Sequence, residues 1–389
     1  MTRRNPALGM WSGAAEATEY EQVSSRLCCQ REQAFMRFLP YQSADSALSS
    51  RGTFCLQDRG ALHLSTFDTA IMTSSNISEA TSGEQPAWPV KTHDFQNHHF
   101  DTRIWNKYQF RDSDIIIATW GKSGTTWLQQ IVSQLIFFGA DEVCPLERSP
   151  WLDMRIAANE ETLALLEAQT HRRFIKTHAP IDSIVYNPQA KYIFVGRDGR
   201  DVMWSMHHHF LHCTPLFYEM VNKTPGRVGE AIERPPEDPA QFFREFLESD
   251  TDPKKRHVPF WEHTRGWWNA RALPNLLLVH FNDLKADLGG EVRRIAEFLE
   301  IKVPEEKWPD IVEHSTFKYM KQNAIRLSGP VAQLIFESGG DTLIHKGYNG
   351  RWRDSLTKDE IQKYDDQARS ELGEEGARWL ANGNHPAGS

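Results

Sequence analysis

The chain has 389 residues, of which 40% are hydrophobic and 25% charged, the balance of an ordinary folded protein. Its 44 Lys and Arg against 52 Asp and Glu give a formal charge of −8, which argues against broad nucleic-acid binding, since that shows as a basic excess. No uninterrupted apolar run approaches the roughly 20 residues that span a bilayer, so no integral membrane segment is expected. Five cysteines without paired CxxC units fit neither a disulfide framework nor a zinc site, and a reducing, cytoplasmic setting is the default.

Residues 1–71 contain no lysine and three of the five cysteines, Cys28, Cys29 and Cys55. They carry neither strand alternation nor a sustained helical stripe, and no apolar core of a secretory signal. Met72 follows, then the polar "TSSNISEATSGEQPAWPV", which reads as a flexible lead-in. Residues 1–89 are therefore expected to be a non-core, disordered extension, with native translation starting at Met72. Mass spectrometry of the native N-terminus tests this: a peptide ending upstream of residue 72 disproves it.

From residue 114 onward, short apolar runs alternate with helical patterns. "DIIIAT" (114–119) suits a buried parallel strand. "TTWLQQIVSQLIFFG" (125–139) sets Trp127, Leu128, Ile131, Val132, Leu135 and Ile136 at helical spacing, with Gly139 as a C-cap. Further strands are expected in "RRFIKTHAP" (172–180), "KYIFVGRDGRD" (191–201) and "NLLLVHF" (275–281). An amphipathic helix is expected over 286–301. The Trp-rich segments "FWEHTRGWWNA" (260–270) and "EGARWL" (375–380) read as packed helices, and "ERPPEDPA" (233–240) as a surface loop. This alternation predicts an α/β fold, a parallel sheet flanked by helices on both faces.

The loop between the first strand and the first helix, "TWGKSGTTW" (119–127), holds the chemistry. A glycine loop feeding a helix gathers backbone N–H groups and the positive end of the helix dipole, which together make an anion site. Lys122 adds a full charge, and Ser123, Thr125 and Thr126 add hydroxyl donors. A nucleoside-triphosphate loop, GxxxxGK[ST], needs glycine five residues before Gly121, where Ile116 stands, so that alternative fails on spacing.

"GKSGTTW" resembles the 5′-phosphosulfate loop of the cytosolic-type sulfotransferases that use 3′-phosphoadenosine 5′-phosphosulfate, PAPS. Three more segments resemble that family in the expected order. They are "FIKTHAP" (174–180), its lysine–histidine segment; "VGRDGRDVMWSMHHHF" (195–210), its 3′-phosphate segment; and "HKGYNGRW" (345–352), its C-terminal loop. The resemblance covers roughly residues 90 to 385 and implies one sulfotransferase domain there, with a P-loop-like phosphosulfate-binding loop. It implies sulfuryl transfer from PAPS to a hydroxyl or amine of a small-molecule acceptor, with no metal.

By that resemblance His178 is the general base, a role suited to a side chain with an ordinary pKa near ~6.5. Lys122 and Lys176 stabilise charge on the leaving oxygen and the sulfuryl group. Ser123, Gly124, Thr125 and Thr126 hold the 5′ end. Arg197, with a donor fork suited to phosphate, joins Ser205 on the 3′-phosphate, and Lys346 and Gly347 close over it. Trp127 and Phe317 stack the adenine, with Ser315 nearby.

Some positions depart from the family pattern. Phe281 stands where tyrosine is usual. His345 replaces the arginine of Arg-Lys-Gly, which points to pH-dependent cofactor affinity. Arg351 and Arg353 replace the usual Asp and Lys. Lys358 stands where valine is expected in a short dimerisation motif, leaving the oligomeric state open. "MHHHF" (206–210) with His212 invites a metal reading, but consecutive helical residues point in different directions. A nucleoside-triphosphate enzyme and a non-catalytic binding module are the competing classes, and Lys122, Lys176 and His178 together argue against the second. Trp151, Phe210, Phe217, Tyr218, Phe242 and Phe336 lie in segments expected to shape the acceptor site, and suit an apolar acceptor.

Overall fold

The computed structural model describes residues 87–155, 159–250 and 258–384. The expectations about residues 1–71, Met72 and the first three cysteines lie outside the described residues. Four strands form one sheet: β1 (Ile115–Thr119), β2 (Phe174–Thr177), β3 (Lys191–Gly196) and β4 (Leu276–His280). Their order is β2-β1-β3-β4 and all three pairings are parallel, as the βα alternation predicts.

Period two along the strands sends alternate side chains to opposite faces. Ile116, Ala118, Ile175, Tyr192, Phe194, Leu276 and Leu278 enter one buried cluster. Ile115, Ile117, Phe174, Ile193, Val195, Leu277 and Val279 enter the other. Helix α1 (Thr125–Ile136) covers the second face through Leu128, Ile131, Val132 and Leu135. Helix α2 (Gly199–Leu211) continues from β3. Helix α3 (Pro239–Ser249) packs on α2 through Phe243, whose ring lies 5.7 Å from that of Trp204. Helix α4 (Phe260–Asn269) and the C-terminal α5 (Lys358–Asn382) place Trp268 and Trp379 ring on ring at 5.1 Å. Trp379 also closes the end of β3: a Cβ on Gly196 would stand 2.3 Å from its ring.

Three local expectations shift. Helix α1 ends at Ile136, and Phe138 takes the left-handed conformation at φ 49°. Gly139 follows, also at positive φ (81°), its N–H reaching back to the Gln134 carbonyl at 3.0 Å, so the first left-handed residue after the helix is Phe138 and Gly139 is the next. The end of the proline-rich stretch 233–240 is helical: Asp238 caps the Ala240 N–H at 2.9 Å and Pro239 opens α3, the position in a first turn where proline loses nothing. The amphipathic helix expected over 286–301 runs from Leu288 to Phe298, because Asp287 caps the Gly290 N–H at 2.9 Å.

The topology decides where a ligand goes. From β1 the chain passes to β2 on one side and then to β3 on the other, so the connections diverge beside the C-terminal end of β1. In open parallel sheets that divergence leaves a crevice at the carboxyl ends of the strands. Loop 120–124, His178, Arg197 and Phe281 all follow directly on those ends.

Candidate functional site

At the C-terminal edge of the sheet lies a cavity of about 860 Å³, within the range of small-molecule sites. Lys122, Gly124, Thr125, Thr126, Trp127, Lys176, His178, Arg197, Ser205, Phe317, Lys346 and Gly347 all line it. Five residues singled out from the sequence for this site do not: Ser123, Ser315, and three of the expected acceptor-site aromatics, Phe217, Tyr218 and Phe336, which pack together with Cys213 and Val221 in a separate cluster. Ser123 is buried under the loop, its N–H turned to the Trp120 carbonyl at 3.3 Å. Ser315 is fully buried: its hydroxyl donates to the Ile311 carbonyl at 2.7 Å, and its own carbonyl accepts from the Trp127 indole at 2.7 Å.

The loop is built for an anion. Gly124 is the N-cap of α1 at φ 121° and offers no side chain to cap the first turn, so N–H groups there stay available to a ligand. A Cβ at Gly124 would approach the Phe281 ring to 3.1 Å. Lys122 itself sits at φ 66°, an uncommon region for a residue with a side chain. Its carbonyl then accepts from Arg197 Nη1 at 2.9 Å.

Arg197 makes no salt bridge with Asp198 or Asp201 among the described residues. Asp198 is taken by Arg200, at 2.7 Å. Arg197 instead donates to Asn349 Oδ1 from Nε at 3.0 Å and Nη2 at 2.6 Å. Asn349 in turn donates to Asn282 Oδ1 at 2.7 Å. The guanidinium carbon lies 4.2 Å from the centre of the Phe281 ring. Its hydrogen-bond partners are therefore neutral, and Asp201 and Asp198 act on it without forming a salt bridge, which leaves its donor fork able to take a phosphate. Burial lowers its pKa to about 10. Nearby, Gly347 takes φ 65°, and a Cβ there would strike the Phe317 ring at 2.5 Å. Glycine thus lets the 345–352 loop lie against a ring at the cavity wall.

The histidine end is equally ordered. His178 Nδ1 lies 2.7 Å from the Thr119 carbonyl and 3.1 Å from the Thr119 hydroxyl. A carbonyl only accepts, so the proton is on Nδ1 and Nε2 carries the lone pair. Burial, and then the charge of Lys176, hold the His178 pKa well below its ordinary value. The ring is therefore neutral at pH 7. Trp151 meets His178 edge-on at 4.8 Å, and Lys176 Nζ lies 4.5 Å from the centre of the Trp151 ring. Burial lowers both lysines to about 8, with Arg197 and Lys176 adding repulsion at Lys122.

Sequence reading missed the supports of these groups. Asp153, wholly buried, accepts from Trp105 Nε1 at 2.8 Å, from Thr177 Oγ1 at 2.6 Å and from Trp151 Nε1. It pins the strand end between Lys176 and His178. Asn349 was visible inside "HKGYNGRW", but nothing in the string indicates that it faces Arg197 across 152 residues. Thr119 acts through its backbone carbonyl, which any residue supplies.

The histidine run disperses, as helix geometry requires. His207 Nε2 donates to the Pro236 carbonyl at 2.7 Å. His208 stacks on His345 at 3.6 Å, and His212 meets Glu337 at 2.8 Å. Among the described residues, no three His, Cys, Asp or Glu side chains are grouped to hold a metal ion. Nor is any described helix long and apolar enough to cross a membrane.

A basic loop at the carboxyl edge of a parallel sheet, with a neutral histidine and an arginine held by no salt bridge in one cavity, defines a group-transfer site for an anionic nucleotide. The chain matches the family described as the sulfotransferase domain over residues 112–376 and belongs to it. It is thus a PAPS-dependent sulfotransferase, and the nucleoside-triphosphate alternative falls. It is 34% identical over 285 residues to a glycolipid sulfotransferase of Mycobacterium bovis, with 68% of this chain and 86% of that one covered. In fold it is similar to a mouse sulfotransferase complexed with PAP, with TM-score 0.54, 19% identity, and 72% of this chain and 92% of that one covered. A retinol dehydratase in a complex with retinol and PAP gives TM-score 0.54 and 24% identity over 71% of this chain and 87% of that one.

Proposed function

We propose that this enzyme sulfates a hydroxyl of a small amphiphilic acceptor, with His178 as general base; an amine is the second choice. The observation that carries the reading is the hydrogen bond from His178 Nδ1 to the Thr119 carbonyl. It leaves Nε2 as the acceptor for the proton of the attacking group, in a cavity shared with Lys122, Lys176 and Arg197. The residues fit the donor. Loop N–H groups at Gly124 to Thr126, together with Lys122, would hold the 5′-phosphosulfate. Arg197, Ser205, Lys346 and Gly347 would hold the 3′-phosphate, and Trp127 and Phe317 the adenine. When bound, PAPS supplies the activated sulfuryl group. The protein supplies an acceptor of the hydroxyl proton and ammonium groups where negative charge grows. Phe100, Trp151, Phe210 and Phe242 line the remaining wall and suit an apolar portion of the acceptor. The mycobacterial relative's name, a glycolipid sulfotransferase, supports a hydroxyl acceptor larger than a simple phenol.

Two measurements test this. Calorimetric titration without added metal should give selective binding of adenosine 3′,5′-bisphosphate over ATP and NADPH. His178→Ala should keep that binding and lose turnover by about 10²- to 10⁴-fold, the span of a general base. Near-normal turnover in His178→Ala would falsify the assignment.

A further inference from the structure

His209 lies one residue from His208 on α2 and lines the same cavity, but neither of its ring nitrogens has a hydrogen-bond partner among the described residues. Its Nδ1 is buried. It sits in an aromatic wall, 4.9 Å from the Phe336 ring and 5.3 Å from that of Phe210. It lines the cavity together with Lys122, Lys176 and His178, and after burial the charges of Lys122, then His99 and Lys176, act on it. His208, by contrast, turns to His345 and His212.

A buried N–H without an acceptor is costlier and rarer than a buried acceptor without a donor. The proton therefore belongs on Nε2, the nitrogen left open to the cavity, and the buried Nδ1 carries the lone pair. The two histidines then present opposite characters: His178 Nε2 accepts, while His209 Nε2–H donates. An apolar alcohol with one hydroxyl answers only the first.

Building on the proposed sulfuryl transfer, we propose that His209 is a specificity residue that donates a hydrogen bond to a second oxygen of the acceptor, selecting polyols such as a sugar head on an apolar tail over simple alcohols. A site built to pair a polar group discriminates strongly against analogues lacking it, because the buried group is then left unpaired.

The test uses the full chain saturated with adenosine 3′,5′-bisphosphate, titrated with octyl β-D-glucopyranoside and with 1-octanol, which share one tail. The wild type should prefer the glucoside by about tenfold, the value of about one hydrogen bond. His209→Phe should remove most of that preference, and His209→Gln, which keeps a donor, should restore part of it. A glucoside-to-octanol ratio unchanged in His209→Phe, or no glucoside binding to the wild type, overturns the proposal. Bisphosphate affinity is the separate control. Its absence in the wild type overturns the sulfuryl-transfer reading instead, and its retention in both variants shows that they fold.

Discussion

Raising the pH from 7 to 9 titrates Lys122 and Lys176 in the free protein, where both have pKa values lowered to about 8. A bound polyanion favours their charged forms and lifts those values. A group whose pKa rises on binding gives its full contribution below the free-state value and loses it progressively as the pH climbs from that value through the bound-state one. At pH 7 such a lysine is roughly nine-tenths protonated and at pH 9 about one-tenth. Affinity therefore falls about tenfold, or about 1.4 kcal/mol, for each lysine that faces the anion. Two lysines give about a hundredfold. The ligand does not obscure this, because its phosphates complete their ionisation near pH ~6. Arg197, at about 10, stays largely charged. His178, lowered well below its ordinary value, is already neutral. Calorimetry with adenosine 3′,5′-bisphosphate at pH 7, 8 and 9, at constant ionic strength, reads the affinity. Repetition in buffers of different ionisation enthalpy counts the protons taken up. Lys122→Met should remove about half of the logarithmic fall. Constant affinity across the window, with no proton uptake at pH 8, refutes the claim that these ammonium groups hold the nucleotide.

Two further variants probe the scaffold. Asn349→Ala removes the acceptor that aims Arg197, and bisphosphate affinity should fall by about 1 kcal/mol, roughly fivefold, by calorimetry; an unchanged affinity means that Arg197 needs no guide. Asp114→Ala breaks the buried pair with Arg173, which is 2.6 Å long with both side chains at most 1% exposed. Arg173 keeps Glu167 at 3.4 Å and the Gln109 carbonyl at 2.8 Å, so losing the charged hydrogen bonds to Asp114 should cost about 1.5–3 kcal/mol, seen as a melting temperature lower by about 5 °C, and a shift within about 1 °C would contradict the burial argument.

The order of strands and helices was legible because β1, β3 and β4 are short runs rich in isoleucine, leucine, valine and aromatic residues, and α1 repeats its apolar residues at helical spacing. Such local patterns follow from the geometry of one segment. The phosphosulfate loop was legible for the same reason: GKSGTT is contiguous, and a strand leads into it and a helix out of it. Which residues orient the chemistry was not legible. Thr119 holds His178 across 59 residues through a backbone carbonyl, and Asn349 holds Arg197 across 152. Asp153 gathers Trp105, Trp151 and Thr177 from three separate segments. The tautomers of His178 and His209 are set by these partners, or by the lack of them, and no spacing encodes that. The sequence by itself determined the elements and the reactive residue types. Only the tertiary structure decided which nitrogen faces the cavity and which arginine is left without a salt bridge, because both depend on contacts between segments far apart in the chain.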